Sequence, residues 1–117
     1  MSPAFDPFSR SCPSRTVLDT VADRWAVLVL VALGDGQARF GALRERVDGI
    51  SPKMLTATLR ALVADGLVER RQVADRLRQV DYELTFIGRS ALPAATALVQ
   101  WAAGQAAAVI AAREDAS

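Results

Sequence analysis

A chain of 117 residues, 51 % of them apolar, has material for one domain with a real core and little margin beyond it. It has no histidine and a single cysteine, which removes the usual general base and metal ligand and excludes an internal disulfide framework. The longest apolar run, residues 25–33, is far short of a membrane span, and the first residues lack the pattern of a signal peptide. The expectation is a cytoplasmic protein with no membrane partner, no cofactor and no metal.

The net charge of +1 hides an uneven distribution. Residues 39–78 carry nine basic and five acidic groups, net +4, against −3 for the rest. A basic middle between acidic ends suits a module that binds a polyanion, although scatter in a short chain produces such runs too.

Residues 1–11, rich in Pro, Ser and Phe, read as a flexible N-terminal arm. Cys12-Pro13 opens a helix with Val17, Leu18 and Val21 as its apolar stripe, Pro13 fitting the first helical position. Asp23 can cap the next helix, residues 24–33. VLVLVAL is apolar throughout and also fits a buried strand, but Trp25, Leu28, Val29, Ala32 and Leu33 keep helical spacing and Gly34 follows as a cap. Ala38-Arg39 is a candidate short strand.

Residues 40–66 form the centre of the chain. Phe40, Leu43 and Val47 mark one face of a helix, and Asp48-Gly49 has turn chemistry. Ser51 and Pro52 are an N-cap and a first helical residue. The second helix buries Leu55, Leu59, Leu62 and Val63 and ends at Gly66. Its opposite face shows Lys53, Thr56, Ala57 and Arg60, with Ser51 and Pro52 at the tip. That small, polar, basic face suits a DNA major groove, whereas the same residues also fit an ordinary helical hairpin with solvated charges.

Leu67 to Val73 is strand-like, residues 74–78 form a turn bearing Arg76 and Arg78, and Val80, Tyr82 and Leu84 alternate with Gln79, Asp81 and Glu83. A helix pair followed by a basic hairpin is the layout of a winged helix. Thr85 can cap the last helix, residues 86–112, with a kink or restart expected at Pro93. Its stripe of Leu92, Ala95, Leu98, Val99, Ala102, Ala106 and Val109 exceeds what one small domain needs, so a dimer interface is expected. The division is an arm at 1–11, one domain at 12–113 (helix-turn-helix 40–66, wing 67–85, dimerisation helix 86–112) and a tail at 114–117.

Three segments carry a family resemblance: CPSRTVLDTVADRW (12–25), RFGALRERVDGISPKMLTATLRALVADGLVER (39–70) and VDYELTFIGRSALP (80–93). From about Cys12 to Trp101 the chain resembles the HxlR-type winged helix-turn-helix transcriptional regulators, relatives of the MarR group. The resemblance implies a mainly α fold with a small β-hairpin (α+β), its terminal helices forming a dimer interface. It implies a homodimer without enzyme activity, more a repressor than an activator, on an inverted repeat in double-stranded DNA. The helix starting at Ser51 becomes the recognition helix and 74–78 the wing tip. The DNA-contacting set is then Arg39, Arg44, Ser51, Pro52, Lys53, Thr56, Ala57, Arg60, Arg76 and Arg78. Two departures stand out. The wing VADRLRQ lacks the prolines and aromatics usual at the tip, and Phe86-Ile87 replaces a usual charged pair, for which a local packing role is expected.

Several relatives use a cysteine in this Cys-Pro position to sense oxidants, quinones or aldehydes. A helix N-terminus favours thiolate, and Arg15 is expected to add to that. With no second cysteine, the routes are an intersubunit Cys12–Cys12′ bond, a mixed disulfide with a small thiol, or alkylation. An inert, buried Cys12 fits the sequence equally well. The alternatives to a thiol-sensing regulator are a regulator answering to a non-covalent small-molecule inducer and a winged helix that binds protein. A thiol enzyme lacks a base.

Overall fold

The computed structural model describes residues 5–72 and 79–116. The elements are α1 (Pro13–Val21), α2 (Arg24–Leu33), β1 (Ala38–Arg39), α3 (Phe40–Arg46), α4 (Pro52–Ala64), β2 (Val68–Gln72), β3 (Val80–Leu84) and α5 (Phe86–Ala116). The strands form one antiparallel sheet in the order β1-β3-β2. This is the expected mainly helical winged helix-turn-helix with a small sheet.

The ambiguous run at 24–33 is a helix because its start is capped. The Asp23 carboxylate accepts from the Trp25 and Ala26 N–H groups at 2.9 and 3.2 Å, satisfying two donors that a strand would need to pair elsewhere. It is the central element: Ala26, Val27, Val29, Leu30 and Leu33 are all buried, so its all-round hydrophobicity reflects burial on several sides. Leu43, Val47 and Ile50 pack on it with Leu55, Leu59 and Leu62 of α4, Leu67 and Val68 of β2, and Leu84 of β3.

Gly34 caps α2 in a right-handed conformation, so its role is not a left-handed turn. A Cβ there would meet the two Leu92 methyl carbons at 2.9 Å, so its missing side chain lets α5 lie close against α2. Of the stripe expected on a dimer interface, Ala95 is only 5 % exposed within this chain's own core, and Leu92 and Val99 are half-buried against that core. They were placed by spacing alone, and spacing does not tell which neighbour a stripe meets.

Three further expectations give way to the packing. Val63 is 38 % exposed, because it sits at the edge of the α4 stripe and faces the wing rather than the core. Val17 and Leu18 are exposed and α1 buries no residue. Phe86 and Ile87, expected to pack locally, stand 90 % and 56 % exposed. The last helix continues through Pro93 without a restart and reaches Ala116, beyond the expected end at 112, so described residues 114–116 are helical. By length and hydropathy it is the one helix among the described residues able to cross a bilayer, but its first half is packed on α2. From Leu98 onward it carries exposed apolar residues, Leu98, Trp101 and Ile110, Trp101 by 60 %.

Candidate nucleic-acid interface

The α3–α4 pair is built from local chemistry. The chain leaves α3 through Asp48-Gly49, where Gly49 has φ 87°, a left-handed value that side chains resist. Ile50 is buried and anchors the turn. The Ser51 hydroxyl then accepts from the Met54 N–H at 3.0 Å, and Pro52 follows at the first helical position. With Leu55, Leu59 and Leu62 drawn inward, Ser51, Pro52, Lys53, Ala57 and Arg60 are exposed and Thr56 is half-buried.

These residues do not form a single flat face. Thr56 and Arg60 line a cleft of about 430 Å³ between α4 and the sheet, together with Phe40, Val63, Arg70 and Tyr82. Ala57 lines a shallower groove on the α1 side, beside Asp19 and Asp23. Arg39 is the exposed N-cap of α3, opposite Asp81 in the β1–β3 ladder, and Arg44 is exposed in the last turn of α3. Arg76 and Arg78, expected at the wing tip, lie outside the described residues. Arg70 and Tyr82 were missed by sequence reading. The two-residue period of the strands places them together, but only the tertiary packing turns that side of the sheet toward α4.

Thr85 ties this unit to α5. Its hydroxyl donates to the Gly66 carbonyl at 2.6 Å and accepts from the Gly88 N–H at 3.1 Å, and its N–H donates to the Leu67 carbonyl at 3.1 Å. One side chain therefore caps α5 and grips the chain where α4 ends.

Such a capped, basic helix set beside a three-stranded wing is the arrangement of DNA-binding regulators. A family model for the HxlR-like helix-turn-helix matches residues 20–109. The chain belongs to the HxlR-like helix-turn-helix family. It is a transcriptional regulator with a helix-turn-helix DNA-binding domain. It is 43 % identical over 94 residues to the HTH-type transcriptional regulator YtfH of Escherichia coli (strain K12), covering 80 % of this chain and 75 % of that one. A solved structure of the transcriptional regulator ytfH from Salmonella typhimurium is 41 % identical, with a TM-score of 0.86 over 94 % of this chain and 98 % of that one. The redox regulator HypR in its oxidized form is 32 % identical, with a TM-score of 0.72 over 80 % of this chain and 96 % of that one.

Cys12, the one cysteine of this family member, is the N-cap of α1 and half-buried. Its Sγ lies 3.2 Å from the Ser14 hydroxyl and accepts from the Asp6 N–H at 3.2 Å. These contacts hold the thiol below its ordinary pKa of 9.0, the Ser14 hydroxyl most, with desolvation and then the Asp6 carboxylate opposing. Arg15 does not contribute as expected. Its guanidinium is turned to the Pro7 and Phe8 carbonyls at 2.6 and 2.9 Å, where it secures the turn of residues 6–9. Ser14, two residues from Cys12, was the neighbour that mattered, because only the turn geometry brings its hydroxyl to the sulfur.

Proposed function

We propose that the protein is a homodimeric repressor that binds an inverted-repeat operator in double-stranded DNA. The observation that carries this is α4: one face is spent on the core, while from a capped start Ser51, Pro52, Lys53, Ala57 and Arg60 are exposed and Thr56 is half-buried at the edge of the cleft. Residues near the start of such a helix reach base edges when it enters a major groove. Arg39, Arg44, Arg76 and Arg78 are backbone contacts in this reading. Dimerisation is supported by the exposed Leu98, Ala102 and Ala106 on α5, with half-buried Val109 further along the same stripe, and by an α1 on which no residue is fully buried. Paired recognition helices would then stand about 34 Å apart, one turn of B-DNA. The protein acts in the cytoplasm in this reading.

Cys12 is the proposed sensor of oxidants or electrophiles. Its lowered pKa supports a reactive thiolate, and the likeness to a redox regulator supports the role. A two-electron oxidant would join Cys12 to Cys12′ or to a small thiol, and an electrophile would alkylate it. A non-covalent inducer is the second reading. It is favoured by an apolar groove of about 180 Å³ between α1 and α5, lined by Leu18, Val21, Leu30, Ala94 and Leu98.

The test is a gel shift on the DNA upstream of the gene, with and without diamide or a quinone. Wild type should bind and be released by the reagent, and Cys12→Ser should bind and ignore it. No shift by wild type would refute the regulator's DNA assignment at that site. Release of Cys12→Ser would refute the sensor and favour the non-covalent inducer.

A further inference from the structure

Arg70 of β2 lies opposite Tyr82 of β3, so the two side chains share one face of the sheet. That face turns toward α4, and both residues line the cleft whose other wall carries Thr56 and Arg60. Among the described residues the lining holds two guanidinium groups and no carboxylate. The neighbouring Arg71 points the other way and is occupied. It bonds Glu83 at 2.6 Å, and Glu83 faces Glu69 across the ladder, so Arg71 offsets a like-charge pair. Glu83 holds Arg71 above the ordinary arginine pKa. The Arg70 side chain makes no hydrogen bond or ion pair among the described residues and is exposed.

We propose that this cleft seats one sugar-phosphate strand of the bound duplex, with Arg60 and Arg70 engaging backbone phosphates from its two walls. The inference rests on α4 being the DNA-reading helix. A helix that fills a major groove about 12 Å wide has a phosphate strand along each flank. On the wing side that strand must pass between α4 and the sheet, which is where the cleft lies. The Thr56 and Tyr82 hydroxyls add donors for phosphate oxygens, and Phe40 and Val63 supply apolar surface for deoxyribose. Arg70 thus becomes a DNA contact outside both the helix-turn-helix and the wing tip. It positions the protein and reads no base.

The experiment is fluorescence anisotropy with the full chain, on labelled upstream DNA and on a labelled random duplex, across a salt series. Arg70→Ala should weaken both alike and make the slope of log affinity on log salt shallower by about 0.9 for each chain bound. Its deficit should therefore shrink by about 3.5-fold per chain between about 50 and 200 mM salt. Arg70→Lys should keep the slope, since a phosphate accepts either cation. Arg71→Ala removes the same charge from the opposite face and should keep it too. An unchanged slope in Arg70→Ala, with Arg60→Ala impaired, overturns the cleft and leaves α4 as the reading helix. Normal binding by both variants, or none by wild type, overturns the α4 reading as well. DNA binding intact in Arg70→Ala but 2-naphthoate binding lost would assign the cleft to a small aromatic anion and overturn the proposal. Matching thermal melts keep a folding defect from imitating the expected result.

Discussion

Gly88→Ala puts a single methyl group at the joint between the winged helix and α5. Gly88 is buried in the first turn of α5, and a Cβ there would overlap the Leu67 carbonyl oxygen, with Leu84 Cδ2 at 3.2 Å. That oxygen belongs to the backbone and already accepts the Thr85 N–H at 3.1 Å, so it cannot swing aside as a side chain can. Relief requires α5 to move off the sheet. Overpacking of this kind costs about 1–3 kcal/mol, and weakening the Thr85 hydrogen bond adds about 1 kcal/mol. Replacing Gly by Ala inside a helix returns up to about 1 kcal/mol. The net expectation is a loss of about 1–3 kcal/mol, or roughly a 3–15 °C fall in Tm for a domain of this size. Gly41→Ala is the control: it lies in α3 with open space around a new Cβ, and it should be neutral or stabilising by about 0.5 kcal/mol. Urea unfolding followed by circular dichroism measures both. If Gly88→Ala is as stable as Gly41→Ala, the close approach of α5 to the sheet is not a constraint. Because this joint sets how α5 leaves the DNA-binding unit, Gly88→Ala should also lose operator affinity at temperatures where it is still folded.

Lys53→Ala and Arg60→Ala should each cost about 1–3 kcal/mol of operator affinity where a base edge is read, or about one unit of salt slope where a phosphate is held. Unchanged affinity in both at physiological salt would remove α4 from the interface. The rate of Cys12 alkylation by iodoacetamide should rise through a midpoint below pH 9.0 and fall away as pH drops through it, because the lowered pKa favours thiolate. Ser14→Ala should move that midpoint upward, and an unmoved midpoint would mean that the Ser14 hydroxyl does not tune the sulfur. Leu98→Glu, placed on the bare part of α5, should convert a sedimenting dimer to a monomer with little change in the fold, and a wild-type monomer at micromolar concentration would refute the interface. To take the DNA-competent population from 99:1 to 1:99, modification of Cys12 must favour the other state by about 5.5 kcal/mol. Operator DNA should therefore slow diamide inactivation by linkage, and equal rates with and without DNA would break the coupling.

The features legible from sequence are those written in short-range chemistry. Ser51-Pro52 starts α4 because a hydroxyl three residues from an orphan N–H and a ring without an N–H act within one turn. Asp23 starts α2, and the alternation around Tyr82 forms β3, for similarly local reasons. Spacing identifies a stripe but not its neighbour, and that is where the packing decided. Leu92, Ala95 and Val99 read as one surface with Leu98 and Ala102, yet the first three are taken by α2, which Gly34 lets come close. Val17, Leu18, Phe86 and Ile87 have the composition of core residues and remain exposed, because none of the described elements folds fully over them. Arg15 is one turn from Cys12, but the backbone turn at residues 6–9 captures its guanidinium and leaves Ser14 beside the sulfur. Arg70 and Arg71 are adjacent and alike in sequence. The pleat sends one to a glutamate and the other to the cleft beside Arg60, and only the placement of α4 against the sheet creates that cleft.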